Sequence, residues 1–324
     1  MSFSRENYLK IREQFAAKQA SAREEAARRA EQLYRLHPEL KEIDRALSGI
    51  GQAVFAETMR GKEGLDERLA KLRRENEELQ QSRAQCLRYY GYPEDYTDPH
   101  YECAICSDTG AVGSRMCVCM KRALILATYE SSGIGALLGT QSFETFDLSY
   151  YTDPQSRKLA QAALRVCRDF AVSFPSKTNR NLTLQGATGL GKTHLSTAIA
   201  KEVIDRGYDV VYETAQNLLS DLENVRFGRA NADAADRYTA CDLLIMDDLG
   251  TEMNTNFNVS ALYNLLNTRI NAGLSTVVST NLQPEEFRRR YADRITSRLF
   301  GEFTMLPLTG TDIRSQKLKK NILS

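Results

Sequence analysis

The stretch Asn181 to Leu195, reading NLTLQGATGLGKTHL, restricts the fold more than any other part of the chain. Gly186-Ala187-Thr188-Gly189-Leu190-Gly191-Lys192-Thr193 satisfies G-x-x-x-x-G-K-[ST] at every fixed position. Leu182, Thr183 and Leu184 form a short β-type run entering the loop, and His194 to Arg206 reads as the helix leaving it. Glycines let the backbone wrap closely round a polyphosphate. The N–H groups then turn inward at a helix N-terminus that favours anions. Lys192 is placed to neutralise the β- and γ-phosphates, and the Thr193 hydroxyl to ligate Mg²⁺. An ordinary glycine-rich turn is the bland alternative, and the flanking strand and helix count against it. The expectation is a nucleoside triphosphate site.

Composition bounds the rest. A chain of 324 residues suggests about two domains and carries a net charge of +1, so a nucleic-acid partner would need a local basic patch. The start, MSFSRENYLKIREQ, has no apolar core of the signal-peptide kind, and no stretch approaches the ~18 apolar residues of a membrane span. These features predict a cytoplasmic protein with no membrane association. Thiols stay reduced there, so closely spaced cysteines point to metal.

Residues 1–90 are rich in Ala, Glu, Arg, Lys and Leu and predict three helices near 4–36, 38–60 and 65–90, punctuated by Pro38 and by Gly61 to Gly64. Leu36, Leu40, Ile43, Leu47, Ile50 and Val54 recur at alternating spacings of four and three, as do Leu65, Leu69, Leu72, Asn76 and Leu79. That rhythm suits a coiled-coil-like seam used for partner docking or dimerisation, or equally the core of a plain helical bundle. Cys103, Cys106, Cys117 and Cys119 follow as C-x2-C, a ten-residue turn-rich spacer and C-x-C. Two tight pairs joined by a Gly-containing loop suit tetrahedral Zn²⁺ in a small structural knuckle, with His100 the nearest extra ligand. A redox pair or unconnected buried thiols are the alternatives. Cys86, Cys167 and Cys241 are isolated and read as plain core or surface residues.

Lys121 to Ser131 reads as a helix, and Pro154 to Phe174 as another. Between them, Phe143 and Phe146 either pack beside a base or staple the segment to the core. Beyond the glycine loop, strands at 210–213, 243–248, 276–281 and 303–308 alternate with helices at 215–227, 257–273 and 284–291. Repeated βα units imply a parallel sheet whose ligand lies at the carboxyl ends of the strands. Leu243-Leu-Ile-Met-Asp247-Asp248 ends there in two carboxylates. Asp247 is suited to hold Mg²⁺ opposite Thr193, leaving Asp248 to orient or deprotonate water. Asn281 can align that water, although an Asn after a strand is also an ordinary turn residue.

Together with LLIMDDLG at 243–250, Thr280-Asn281 and Asp293-Arg-Ile-Thr-Ser-Arg298-Leu, the glycine loop resembles the AAA+ ATPases of the DnaC-type helicase-loader group. That group also contains helper ATPases of insertion-sequence transposases. The resemblance covers about residues 140–318, and a helical region followed by a cysteine knuckle is similar to the loaders of Gram-positive bacteria. It implies an AAA+ P-loop ATPase domain at 126–324, a zinc knuckle at 91–125 and a docking region at 1–90. It further implies that Arg298, with Arg294 as rival, is an arginine finger serving a neighbouring subunit, and that Arg314 senses nucleotide. Single-stranded DNA would lie near Arg226, Phe227, Arg229, Thr255 and Phe257. The implied partners are a DnaB-type hexameric helicase, single-stranded DNA and further copies of the chain. The implied cofactors are ATP, Mg²⁺ and Zn²⁺. A transposition helper shares the core and is told apart by the N-terminal region. A non-hydrolysing switch is disfavoured because it needs no second acid.

Overall fold

The computed structural model describes residues 5–129, 133–175, 181–291 and 293–323, without the side chains of 5, 133, 293, 294 and 319–323. The chain forms two compact units, a helical one over Arg12–Cys117 and an α/β one from Val118 on, which also takes in the start of the first helix up to Ile11. No described helix is long and apolar enough to cross a membrane.

In the helical unit, α1 (Arg5–Leu36), α2 (Pro38–Met59) and α3 (Leu65–Tyr89) precede a small hairpin of β1 (Ala111–Val112) and β2 (Arg115–Met116). Pro38 stands at the first position of α2, where a missing N–H costs nothing. The heptad positions Ile43, Leu47 and Ile50 of α2 and Leu69, Leu72, Asn76 and Leu79 of α3 are half-buried. Leu36 departs from the expected seam. It ends α1, one turn before the α2 seam begins, and is 67% exposed; Val54, at the other end of that seam, is exposed as well. At the base, Leu33, Leu40 and Leu87 form a buried cluster, and Cys86 packs against it. Asp44 ties the three helices together, accepting from Tyr34 (2.7 Å) and from Arg83 Nε (2.7 Å).

The α/β unit continues with α4 (Val118–Tyr129), α5 (Gly133–Thr140) and, after a short 3-10 turn, α6 (Pro154–Val172). The expected helix from Lys121 to Ser131 therefore starts earlier, and its last two residues, 130 and 131, lie outside the described residues. Asp153 caps α6 by accepting from the Ser156 N–H. Ser156, Ala160, Ala163, Cys167 and Phe170 fall on one face, the spacing by which an amphipathic helix covers a sheet.

Then come β3 (Asn181–Gln185), α7 (Lys192–Asp205), β4 (Val210–Thr214), α8 (Ala215–Arg226), α9 (Asp233–Ala240) and β5 (Leu243–Leu249). The chain closes with α10 (Asn256–Asn271), β6 (Ser275–Thr280), α11 (Pro284–Arg290), α12 (Asp293–Glu302), β7 (Thr304–Pro307) and α13 (Ile313–Leu323).

Among the described residues five strands form one sheet in the order β4-β5-β6-β3-β7, each neighbouring pair parallel. Alternation along the strands feeds two cores. Val210, Tyr212, Leu243, Ile245 and Val277 face one layer with α6 and α7. Val211, Leu244, Met246 and Val278 face the other with α8, α10 and α12. The result is the helical region plus parallel-sheet P-loop domain expected from the sequence.

The helices α5, α9, α12 and α13 were not foreseen. GIGALLGT in α5 contains three glycines, which lowers helix propensity, and α9 buries only Tyr238, so neither shows a periodic signal.

Candidate active site

The loop Gly186–Gly191 leaves the buried central strand β3 and enters α7. Two of its glycines are needed for close approaches. A Cβ on Gly189 (φ +78°) would lie 2.0 Å from Asp312 Oδ1, and one on Gly191 (φ +81°) 2.9 Å from the Phe146 ring. The loop is thus seated against both the start of α13 and the segment before α6. The Ile313 N–H donates to the Gly189 carbonyl (2.9 Å), and the Tyr151 hydroxyl to that of Leu190 (2.8 Å). Phe143 and Phe146 are 6% and 8% exposed and belong to the core, while Phe146 also borders the site. That ring is thus both part of the core and part of the pocket wall.

Lys192 is 6% exposed, and its Nζ donates to the carbonyls of Gly186 (2.7 Å) and Ala187 (2.9 Å). Burial draws its pKa down from the ordinary lysine value, opposed by Asp248 and Asp247. Asp247 is buried at the end of β5 and accepts three hydroxyls, from Thr193 (3.2 Å), Tyr212 (2.9 Å) and Ser279. In a regular strand Asp248 would point to the opposite face. Instead the β5–β6 register shifts between Met246 and Leu249, and Asp248 adopts φ +55°. Its N–H donates to Ser279 Oγ (2.9 Å) and its carboxylate borders the pocket. Partial burial and the neighbouring Asp247 push the Asp248 carboxyl up from its ordinary value.

The pocket has a volume of about 320 Å³, the size of a small-molecule site. Thr188, Gly189, Leu190, Gly191, Lys192, Thr193, His194, Asp248 and Arg314 border it, so one cavity collects most of the nucleotide-site residues read from the sequence. His194 donates from Nε2 to the Ser142 carbonyl (2.8 Å), and burial lowers its pKa. Asn281 is exposed just beyond β6, next to Thr280, whose carbonyl accepts the Gly186 N–H (3.1 Å). Arg298 is half-buried on α12 and does not border the pocket, and the Arg294 side chain lies outside the described residues.

Sequence reasoning missed Tyr212, Ser279, Gln141, Tyr150 and Lys317. The first two reach Asp247 from strands flanking β5, and the others line the pocket. Strand order supplies these neighbours, and no spacing along the chain signals them.

Phe227 and Phe257 meet at the C-terminal end of α8 and the N-terminal end of α10, with ring centroids 6.4 Å apart. Arg226 lies over the Phe257 ring and Arg229 over that of Phe227. Phe227 is 58% exposed, while Thr255 caps α10 by accepting from the Asn258 N–H (3.1 Å).

The Sγ atoms of Cys103, Cys106, Cys117 and Cys119 all lie within 4.8 Å of one another, a cluster able to hold a metal ion. A zinc–sulfur bond of about 2.3 Å implies tetrahedral sulfurs about 3.8 Å apart, and Cys103 and Cys117 are 3.9 Å apart. The Gly110 N–H donates to Cys106 Sγ (3.3 Å), which suits a thiolate. Buried Asp108 holds the first turn by accepting the N–H groups of Glu102 (2.9 Å) and Cys103 (2.8 Å). His100 is exposed and outside this cluster.

The family described as IstB-like ATP binding protein matches residues 131–320. Over 201 residues the chain is 27% identical to a putative ATP-binding protein in an insertion sequence of Mycobacterium tuberculosis, covering 59% of this chain and 78% of that protein. It is 25% identical over 171 residues to the replicative helicase loader DnaC of Buchnera aphidicola, covering 52% and 66%. With the chromosomal replication initiator protein DnaA of Caldanaerobacter subterraneus it shares 30% over 159 residues, and spans about a third (34%) of that protein's length. Among solved structures, a DnaC helicase loader aligns with a TM-score of 0.47 at 19% identity, over 53% of this chain and 98% of that one. DnaI aligns with a TM-score of 0.47 at 23% identity, over 55% and 92%.

Proposed function

We propose, from the premise that this chain belongs to the IstB-like ATP-binding protein family, that it hydrolyses ATP to load a hexameric replicative helicase onto single-stranded DNA. The observation that carries the nucleotide reading is the gathering of Lys192, Thr193, Asp248 and Arg314 on one pocket, with Asp247 directly behind Thr193. The loop N–H groups from Gly186 to Thr193 cradle the phosphates. Lys192 leaves its two carbonyl partners to reach the β- and γ-oxygens. Thr193 and Asp247 would hold Mg²⁺, whose positive charge draws electron density from the γ-phosphate. Asp248 orients the attacking water and accepts its proton, and Asn281 aligns that water. Arg314 reads the phosphates from the start of α13.

Arg298 lies off its own chain's pocket, which leaves it free for the finger role that the resemblance implies, reaching the site of a neighbouring copy, where a guanidinium offsets charge in the transition state. Exposed Phe227 and half-buried Phe257, with Arg226 and Arg229, suit stacking of single-stranded bases beside a basic rim, flanked by Thr255. Residues 1–90 dock the helicase, the knuckle at 91–125 is held by Zn²⁺ on the four cysteines, and 126–324 form the AAA+ ATPase domain. With no membrane role, the setting is the cytoplasm.

A second reading, a transposition helper ATPase, is favoured by the insertion-sequence relative, which matches a larger share of this chain than the DnaC relative does. The helical unit and cysteine cluster favour the loader. Capture with the full-length chain plus ATP and Mg²⁺ separates the two. Recovery of a replicative helicase supports loading, and recovery of a transposase in its place overturns it.

A further inference from the structure

Glu252 is a buried carboxylate that the nucleotide pocket does not use. It follows Asp248 in the loop after β5, does not border the pocket, and has a side chain 1% exposed. A buried carboxylate is costly unless paired, and the two oxygens of this one find their partners in different parts of the fold. Oε2 accepts the Gly250 N–H (2.8 Å). Oε1 accepts the Tyr291 hydroxyl and lies 3.4 Å from Arg290 Nε, while the Arg290 guanidinium also donates to the Glu252 carbonyl. Burial, reinforced by the Glu252 charge, holds the Tyr291 phenol well above its ordinary pKa, so its hydroxyl stays a donor.

The Oε2 end belongs to the turn that carries Asp248. That residue is left-handed, and the Thr251 hydroxyl donates to its carbonyl (2.8 Å). A Cβ on Gly250 would lie 2.6 Å from Leu282, the residue after Asn281, so the turn is also seated against the end of β6. The Oε1 end belongs to α12. Arg290 ends α11 and Tyr291 caps it, and the Tyr291 carbonyl accepts from the Thr296 hydroxyl of α12 (3.4 Å). Tyr291 shares one buried cluster with Ile295 and Leu299, which anchor the turn of α12 that bears Arg298. Apolar packing of similar volume is often as stabilising as a buried ion pair, but hydrogen bonds also fix direction. We infer that Glu252 is a positioning residue for two sites at once. It holds the Asp248 turn in its own chain's pocket and, through Tyr291 and Arg290, the helix from which Arg298 serves the neighbouring copy. This rests on the finger role proposed for Arg298, and ties the acid that one chain uses to the cation that it lends.

Turnover of mixed full-length variants with ATP and Mg²⁺ tests it. Arg298→Ala provides a cradle without a finger and Lys192→Ala a finger without a cradle, so fast hydrolysis needs one of each. Glu252→Gln added to either partner should slow the mixture about tenfold, the scale of one hydrogen bond to a charged group. The ATP affinity of the cradle partner should stay as it was, because Glu252 does not border the pocket. Tyr291→Phe cuts the tie to α11 and spares the Gly250 contact. It should slow the mixture by about tenfold when the finger partner carries it, and have no effect when the cradle partner does. A merely structural role would show equally in both placements. Equal effects from the two placements of Tyr291→Phe, or unchanged turnover with Glu252→Gln in either partner, would overturn the role of Glu252. A mixture already inactive without these changes would sink the finger reading itself, and this inference with it. Should Glu252→Gln not fold, the two placements of Tyr291→Phe still decide.

Discussion

Gly189 shows how much a single hydrogen atom in place of a side chain decides. Its φ of +78° disfavours any L side chain, and a Cβ would strike the Asp312 carboxylate. Asp312 accepts the N–H groups of Arg314 (2.8 Å) and Ser315 (3.3 Å), so it caps the helix that carries Arg314 to the pocket. Gly189→Ala should therefore lower thermal stability by about 1–2 kcal/mol and weaken ATP binding. Combining it with Asp312→Ala should cost less than the sum of the two, because both act on one contact. Strict additivity in a double-mutant cycle would remove the link between loop and cap. The motif already demanded glycine for the phosphate, and the second reason appears only once α13 is seen against the loop.

Elements act through what they hold in place. In the helical unit, Tyr34 donates to Asp44, and partial burial with that carboxylate leaves the phenol pushed up to about 12 from an ordinary 10.0. A proton held more tightly in the folded state means a contribution that is full below pH 10 and lost as pH rises toward 12. The melting temperature should fall through that window more steeply for wild type than for Tyr34→Phe, and parallel curves would contradict this. The cysteine cluster belongs to the same scale. Metal analysis should find about one zinc per chain, and Cys106→Ser should lose it. A chelator should lower the melting temperature of the wild type while leaving that variant unaffected. The C-x2-C and C-x-C spacing made this cluster legible, whereas Asp108 was invisible because it touches backbone N–H groups and has no ligand role of its own.

At the scale of the molecule, the proposed reaction needs two copies. Arg298→Ala should bind ATP normally yet hydrolyse it more slowly, on the order of a thousandfold. Lys192→Ala should fail to bind. Mixing them should restore turnover, since the first retains a complete cradle and the second a complete finger. Wild-type hydrolysis by Arg298→Ala would remove Arg298 from the role and leave Arg294 as the alternative. Mixed samples no more active than either alone would show that the finger does not work between copies.

Sequence by itself determined what lies within one strand, one turn or one loop: the glycine loop, the acids closing the apolar run of β5, the cysteine spacing and the alternation of strands with helices. Such features are legible because their residues are joined by a few peptide bonds, and local geometry follows from spacing. Tertiary structure alone decided which hydroxyls surround Asp247, that Asp248 turns into the pocket, that Phe227 meets Phe257 and that Gln141 borders that pocket. Those neighbours come from strands and helices that pair across the sheet. The order β4-β5-β6-β3-β7 is set by how buried faces pack, which no interval along the chain encodes.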